Sequence, residues 1–131
     1  MNRWVVFISS ILLGLAAVCQ AEPVISPGRW YNEVLTFEPQ DSWTVESCFK
    51  SHQLMRVEYH FESAMPVNFN FHAHPELENG VHTTVKIDRV AKVARHSSEA
   101  NTELPGLYCF DFFPSKPLGL ARQLTLRYRA L

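Results

Sequence analysis

No apolar run in these 131 residues reaches the ~20 that a membrane-spanning helix needs. The longest, Trp4–Val18, is broken by Ser9 and Ser10. Charge of one sign is also lacking: 12 Lys and Arg stand against 13 Asp and Glu, a net −1. A near-neutral chain without basic clusters lacks the footprint of a nucleic-acid binder. Catalytic signatures are missing too. There is no Gly-x-Ser-x-Gly nucleophile motif and no His-Glu-x-x-His. Internal repeats, low-complexity tracts and long charge runs are absent, and no segment carries a convincing helical period.

What is present begins with a leader. Arg3, the apolar run after it and the small residues around Cys19-Gln20-Ala21 have the form of a secretory signal peptide. Cleavage before Glu22 leaves 110 residues, the size of one domain, and removes only Arg3 among the charges, so the net charge becomes −2. A lipid-anchored form through Cys19 is disfavoured, because bulky Val18 stands where that signal needs a small residue. The expected location is periplasmic or secreted. Two cysteines then remain, Cys48 and Cys109. In a small exported domain two cysteines usually pair; the alternative is two free thiols. A bridge would close a loop of about 62 residues, worth roughly 4 kcal/mol in the chain-entropy account.

From Glu22 onward the pattern is that of half-buried strands. Residues 22–42 read as an extended lead-in, with a Pro27-Gly28 turn signal, and a first short strand; residues 43–131 form the main domain. Met55–Glu62 puts Val57, Tyr59 and Phe61 on one face and Arg56, Glu58, His60 and Glu62 on the other. Ala64-Met65-Pro66 is expected to break the chain before Val67–His72, where the alternation repeats. Trp43–Phe49, Val81–Asp88 and Gln123–Arg129 are further strands, and Leu107–Phe113 is apolar enough for a central strand covered on both faces. Ile87–Arg95 reads as continuing strand, with a helical turn as the alternative, and Ser97–Pro105 reads as a loop. Six or seven short strands, heavy in aromatics, indicate a single all-β domain, an antiparallel β-sandwich with one disulfide.

Glu46-Ser47-Cys48-Phe49, the later Gly106-Leu107-Tyr108-Cys109-Phe110 and the closing strand Gln123–Arg129 give the chain a resemblance to a family. It resembles the GOLD domain of the emp24/p24 cargo receptors over roughly Trp43 to Tyr128. The resemblance implies a small, jelly-roll-like sandwich, an inter-strand bridge mapping onto Cys48 and Cys109, and binding without catalysis. The coiled coil, membrane span and sorting tail that follow this domain in those receptors have no counterpart here, so cargo sorting is not carried over. A blue-copper site is not indicated: Phe110-Asp111-Phe112 follows Cys109 where that chemistry wants imidazole.

Six histidines are many for this length. His72 and His74 share a strand face about 6.5–7 Å apart at the backbone, close enough for both rings to reach one ion. Glu76, Glu78 and His82 follow within eight residues, so a Zn or Cu site centred on His72 and His74, with Glu76 and His82 as further ligands, is chemically reasonable. The alternative is solvated histidines at a strand end. If Met55–Glu62 and Val67–His72 form a hairpin, His60 falls opposite Asn68, far from His72. Phe113, Leu118 and Leu120, with Arg127 and Arg129, are candidates for an interaction surface; the arginines alternatively guard an edge strand. The expectation is an exported non-catalytic module binding a protein or envelope component, with metal binding as the alternative and an unassigned hydrolase a distant third.

Overall fold

The computed structural model describes residues 22–39, 44–77, 80 and 83–131. The expected leader Met1–Ala21 lies outside them, as do Trp43, Glu78, Val81 and His82. The described residues form six strands and no helix, so none is present that could cross a membrane. The strands are β1 (Tyr31–Phe37), β2 (Val45–Ser51), β3 (Met55–Pro75), β4 (Val85–Thr102), β5 (Gly106–Pro114) and β6 (Arg122–Ala130). All strand pairs are antiparallel, in the order β1-β6-β3-β5-β2 with β4 on the other side of β3. The all-β antiparallel architecture and its single bridge are as expected from the alternation and the cysteines.

The spine is β3, and here the expected break at Ala64-Met65-Pro66 is corrected. Met55–Pro75 is one 21-residue strand. Ala64-Met65-Pro66 bends it without ending it. Before the bend β3 pairs with β6, from Val57↔Ala130 to Ser63↔Leu124; after it, with β5, from Val67↔Pro114 to Pro75↔Gly106. Along the other side β4 follows it around the corner, with Ser63–Pro66 bulged against Ala94 alone. Proline suits that corner because it has no N–H to give a ladder, and the Pro66 carbonyl accepts the Ser115 hydroxyl at 2.8 Å. One sheet thus curls until its halves, β6–β1 and β5–β2, face each other.

The curl follows from where the aromatic residues lie. Tyr59 and Phe71 are twelve positions apart, about 40 Å along a straight strand, yet their rings are 5.1 Å apart. Phe61 meets Phe112 at 5.0 Å and Phe110 meets Tyr128 at 5.2 Å across the same gap. Val57, Tyr59, Phe61, Val67, Phe69 and Phe71 all point inward and are almost fully buried. Period-two alternation on both sides of the bend therefore fills one core. Edge-to-face and offset aromatic pairs of this kind add about 0.5–1.5 kcal/mol each beyond their buried area.

Two further expectations are corrected, the loop at Ser97–Pro105 and the edge position of β6, while the continuing strand over Ile87–Arg95 is borne out. Strand β4 runs to Thr102, so most of Ser97–Pro105 is ladder and not loop; Thr102 is buried, and its hydroxyl accepts from the Met55 N–H at 3.1 Å. The helical look of Ile87–Arg95 comes from bulges. Ile87, Val90 and Val93 pack on the core at intervals of three because extra β4 residues sit opposite β3 near each of them. Lys92, at φ 55°, occupies one bulge, and its N–H donates to Asn68 Oδ1 at 3.0 Å. Nor is β6 an edge: it lies between β1 and β3, so its arginines do not guard an exposed ladder.

The lead-in ties the open side of the curl. Ile25 N–H donates to the Lys50 carbonyl on β2 and Gly28 N–H to the Ala130 carbonyl on β6, at 2.9 and 2.8 Å. Buried Ile25 sits between these anchors. The Cys48–Cys109 disulfide joins directly opposed residues of β2 and β5, with Cα atoms 4.2 Å apart, near the spacing of a non-hydrogen-bonded pair. It closes a 61-residue separation, worth about 4 kcal/mol in the chain-entropy account. A bridge of this kind fits a non-cytoplasmic, oxidising environment.

Candidate metal centre

Strands β2, β5 and β3 lie side by side, and inward-facing Phe49, Tyr108, Phe110, Phe69 and Phe71 leave the intervening residues on the outer face. Register then gathers Glu46 and Cys48 of β2, Cys109 and Asp111 of β5, and Asn70, His72 and His74 of β3. Asp111 is opposite both Glu46 and Asn70, and Cys109 is opposite both Cys48 and His72. Although on an outer face, His72 and Asp111 are only 7% and 8% exposed, whereas His74 and Glu46 are open to solvent. The cluster therefore has a buried floor and an accessible mouth.

His72 Nε2 and His74 Nε2 are 3.0 Å apart, with the rings nearly perpendicular. Two imidazoles on one tetrahedral Zn²⁺ at Zn–N of 2.0–2.1 Å stand about 3.3 Å apart, so this pair needs almost no rearrangement. Each ring is held from behind. His72 Nδ1 is 3.3 Å from Asp111 Oδ2 and 3.2 Å from Asn70 Nδ2, and His74 Nδ1 is 3.5 Å from Thr84 Oγ1. In the tautomer with its proton on Nδ1, facing the Asp111 carboxylate, His72 would have its Nε2 lone pair free for a ligand; the Asn70 Nδ2 contact at the same nitrogen belongs to the other tautomer. A carboxylate behind a histidine is the usual support of a metal-binding imidazole. Glu46, His72 and Asp111 also bring ligand atoms within 4.8 Å of one another.

The electrostatics suit a cation. Burial, and next the adjoining His74, hold His72 below the ordinary imidazole value against the opposing pull of Glu46, which favours the neutral, ligating ring. Burial raises Asp111, with Glu46 and Asn70 pulling the other way, and burial also raises Glu46, reinforced by Asp111. Two carboxyls crowded in this way have only the His72 and His74 rings to oppose their charge among the causes that act on Glu46. Asp111 Oδ1 is buried without a hydrogen-bond partner. Glu46 Oε1 lies 3.2 Å from Cys48 Sγ, a contact and not a hydrogen bond, since the bridged sulfur carries no hydrogen.

Of the residues expected at this site, His72 and His74 come together. Glu76 does not join them among the grouped ligand atoms; its side chain is exposed and its N–H donates to the Pro105 carbonyl at 2.9 Å. His82 lies outside the described residues. His60 is occupied elsewhere, 2.7 Å from Ser97 Oγ, and His96 bonds Asp88 at 2.8 Å. Asp111, Glu46, Asn70 and Thr84 were not anticipated. Asp111 had a signal, as the lone charge in Leu107-Tyr108-Cys109-Phe110-Asp111-Phe112-Phe113, a segment too apolar to carry one idly.

The expected interaction surface separates into parts. Phe113 is exposed beside a groove lined by Asn68, Asn70, Lys86 and Arg89, Leu120 is exposed, and Leu118 packs partly on the core. Arg127 and Arg129 lie on the other half, their guanidinium carbons 4.3 and 4.5 Å from the Trp30 ring centre, and Arg129 bonds Glu58 at 2.7 Å. No known protein family and no characterised protein matches the chain.

Proposed function

We propose that this protein is an exported, non-catalytic binding module whose ligand is a Zn²⁺ or Cu²⁺ ion held by His72 and His74. The observation that carries this reading is the pair of Nε2 atoms 3.0 Å apart, with Asp111 and Thr84 behind the rings. Unpartnered Asp111 Oδ1 supports it, since a cation would relieve the crowded carboxyls. Two imidazoles with water completing the shell make a labile site, suited to uptake and release. Zn²⁺ and Cu²⁺ both accept imidazole readily. The bridge and the leader-like N-terminus favour the periplasm or secretory space over the cytoplasm.

Calorimetric titration of the oxidised protein with Zn²⁺ and with Cu²⁺ tests the reading. One ion should bind with a Kd of about 1 μM, near −8 kcal/mol. His72→Ala and His74→Ala should each weaken binding by at least about tenfold. Binding weaker than about 100 μM, or binding that both variants leave unchanged, would refute it. A second reading, a GOLD-like module for a protein partner, draws on exposed Phe113 beside its groove. Phe113→Ser abolishing capture of a specific envelope protein, with metal affinity intact, would favour it.

A further inference from the structure

The disulfide adjoins the histidine pair. Cys109 is the cross-strand neighbour of His72 on one side and of Cys48 on the other. Ligand atoms of His72, His74 and Cys109 lie within 4.8 Å of one another, and those of Glu46, Cys48 and Cys109 form a second such group that shares Cys109. While the sulfurs are bonded to each other neither is a thiolate, the form that binds metal. Breaking that bond would add donors beside the histidines.

We propose that the Cys48–Cys109 disulfide is a redox gate on the metal site. Oxidised, the protein offers a metal two imidazoles; reduced, it offers two imidazoles and two thiolates, a closed S₂N₂ set for Zn²⁺. The proposal rests on His72 and His74 being metal ligands. An S₂N₂ tetrahedron is a structural zinc geometry, and its two sulfurs, at Zn–S of 2.3 Å, stand about 3.8 Å apart. Residues directly opposed on neighbouring strands, with Cα atoms 4.2 Å apart, span that distance by side-chain rotation.

The two sulfurs differ in access, which orders the chemistry. Cys109 is 1% exposed, whereas Cys48 is half-buried on the outer strand β2. The reductant is a dithiol. Its thiolate attacks Cys48 Sγ, a reductant–Cys48 bond forms, the Cys48–Cys109 bond breaks, and Cys109 leaves as a thiolate beside the histidines. The second reductant thiolate attacks the mixed disulfide, closing the reductant's own disulfide and freeing Cys48. Two electrons pass to the protein. With Zn²⁺ taking both thiolates, two protons are released to solvent, and reoxidation by a disulfide returns the metal to the two-imidazole state.

Co²⁺ is a visible substitute for Zn²⁺, and its thiolate-to-metal charge-transfer absorption reports sulfur ligation directly. The purified protein is titrated with Co²⁺ and then Zn²⁺, oxidised and after anaerobic reduction with a phosphine. Reduction should produce the charge-transfer band and tighten Zn²⁺ binding by at least about 100-fold. Cys48→Ser/Cys109→Ser should show neither effect, binding Zn²⁺ as the oxidised protein does. His72→Ala in the reduced state should keep the band while losing at least about tenfold in affinity, which keeps the test open if the double variant fails to fold. No band on reduction, an unchanged affinity, or loss of near-ultraviolet circular dichroism on reduction with Zn²⁺ present would overturn the gate. Oxidised binding through His72 and His74 without a band on reduction would refute the gate alone. A band on reduction, with an affinity that His72→Ala weakens, but no oxidised binding would refute the oxidised-state site and leave the gate standing.

Discussion

Three buried tyrosines of this core differ in what their hydroxyls meet, and replacing each with phenylalanine should give three different outcomes. Tyr128 is fully buried between Tyr31 and Phe49, with ring centres 5.1 and 5.2 Å away, and its hydroxyl has no hydrogen-bond partner. Ser47 and Glu33 lie near it, and burial, then Glu33, raises its phenol well above the ordinary value. An unpaired buried polar group costs about 1–3 kcal/mol. Tyr128→Phe keeps the ring stacking and removes that cost, so the variant should be more stable by about 1 kcal/mol. The Tyr108 hydroxyl donates to the Leu104 carbonyl at 2.6 Å, and Leu104 is exposed, so water can replace the donor. Tyr108→Phe should lose about 1 kcal/mol. The Tyr59 hydroxyl donates to Asp88 Oδ2 at 2.6 Å, and Tyr59→Phe should lose about 2 kcal/mol, as for a bond to a charged acceptor. Urea unfolding measures all three. With m near 1.5 kcal/mol/M, each kcal/mol moves the midpoint by about 0.7 M at constant m. The order Tyr128→Phe above wild type above Tyr108→Phe above Tyr59→Phe is the prediction. A Tyr128→Phe variant that loses 1 kcal/mol or more would refute the reasoning, because its hydroxyl would then have to be paired.

Asp88 should shape the acid limb of stability. Burial works against its charged form, but the Tyr59 hydroxyl and the His96 ring outweigh it and hold the carboxyl below its ordinary 3.8. A depressed carboxyl contributes stability in full above the unfolded value, and loses it as pH falls through the folded one. Asp88→Asn should therefore be less stable near neutrality, and its difference from wild type should shrink as pH falls below about 4, as followed by urea midpoints from pH 7 to 2. Gly106, at φ 155°, begins β5 where it meets the end of β3, and a Cβ there would overlap the His74 carbonyl oxygen and come within 2.9 Å of Pro75 Cα. Gly106→Ala should cost about 2 kcal/mol or more in thermal unfolding, because backbone must move. It should also weaken Zn²⁺ binding, since the displaced segment carries His74; a neutral substitution would show that these strands part freely.

The strands were legible wherever burial was one-sided. Val57, Tyr59 and Phe61 alternate with charged or polar residues, and the structure buries them. Connections were less legible, because local signals do not distinguish a bend from an end. Pro66 looks like a strand breaker, yet it stands in a bulge where its missing N–H costs nothing and its carbonyl finds Ser115. Strand β4 misled in the opposite direction. Its first half reads as strand even though bulges stretch its apolar spacing from two to three, but its polar second half looks like loop because only β3 pairs with it. A partner 20 or more residues away decided both cases.

The site shows the same division between near and far. Two histidines two positions apart announce themselves on any strand, and the structure sets their rings together. Their support comes from elsewhere: Asp111 is 39 residues after His72 in sequence, and only the β3–β5 register brings it behind the ring. Glu46 is one strand farther away, on β2. The Cys48–Cys109 bridge locks that same register between β2 and β5, directly beside the histidines. A disulfide that served stability alone could join any opposed pair along these strands. At this position the Cys109 sulfur adjoins the two imidazoles, so the bond that holds the strands would also govern which donors a metal meets.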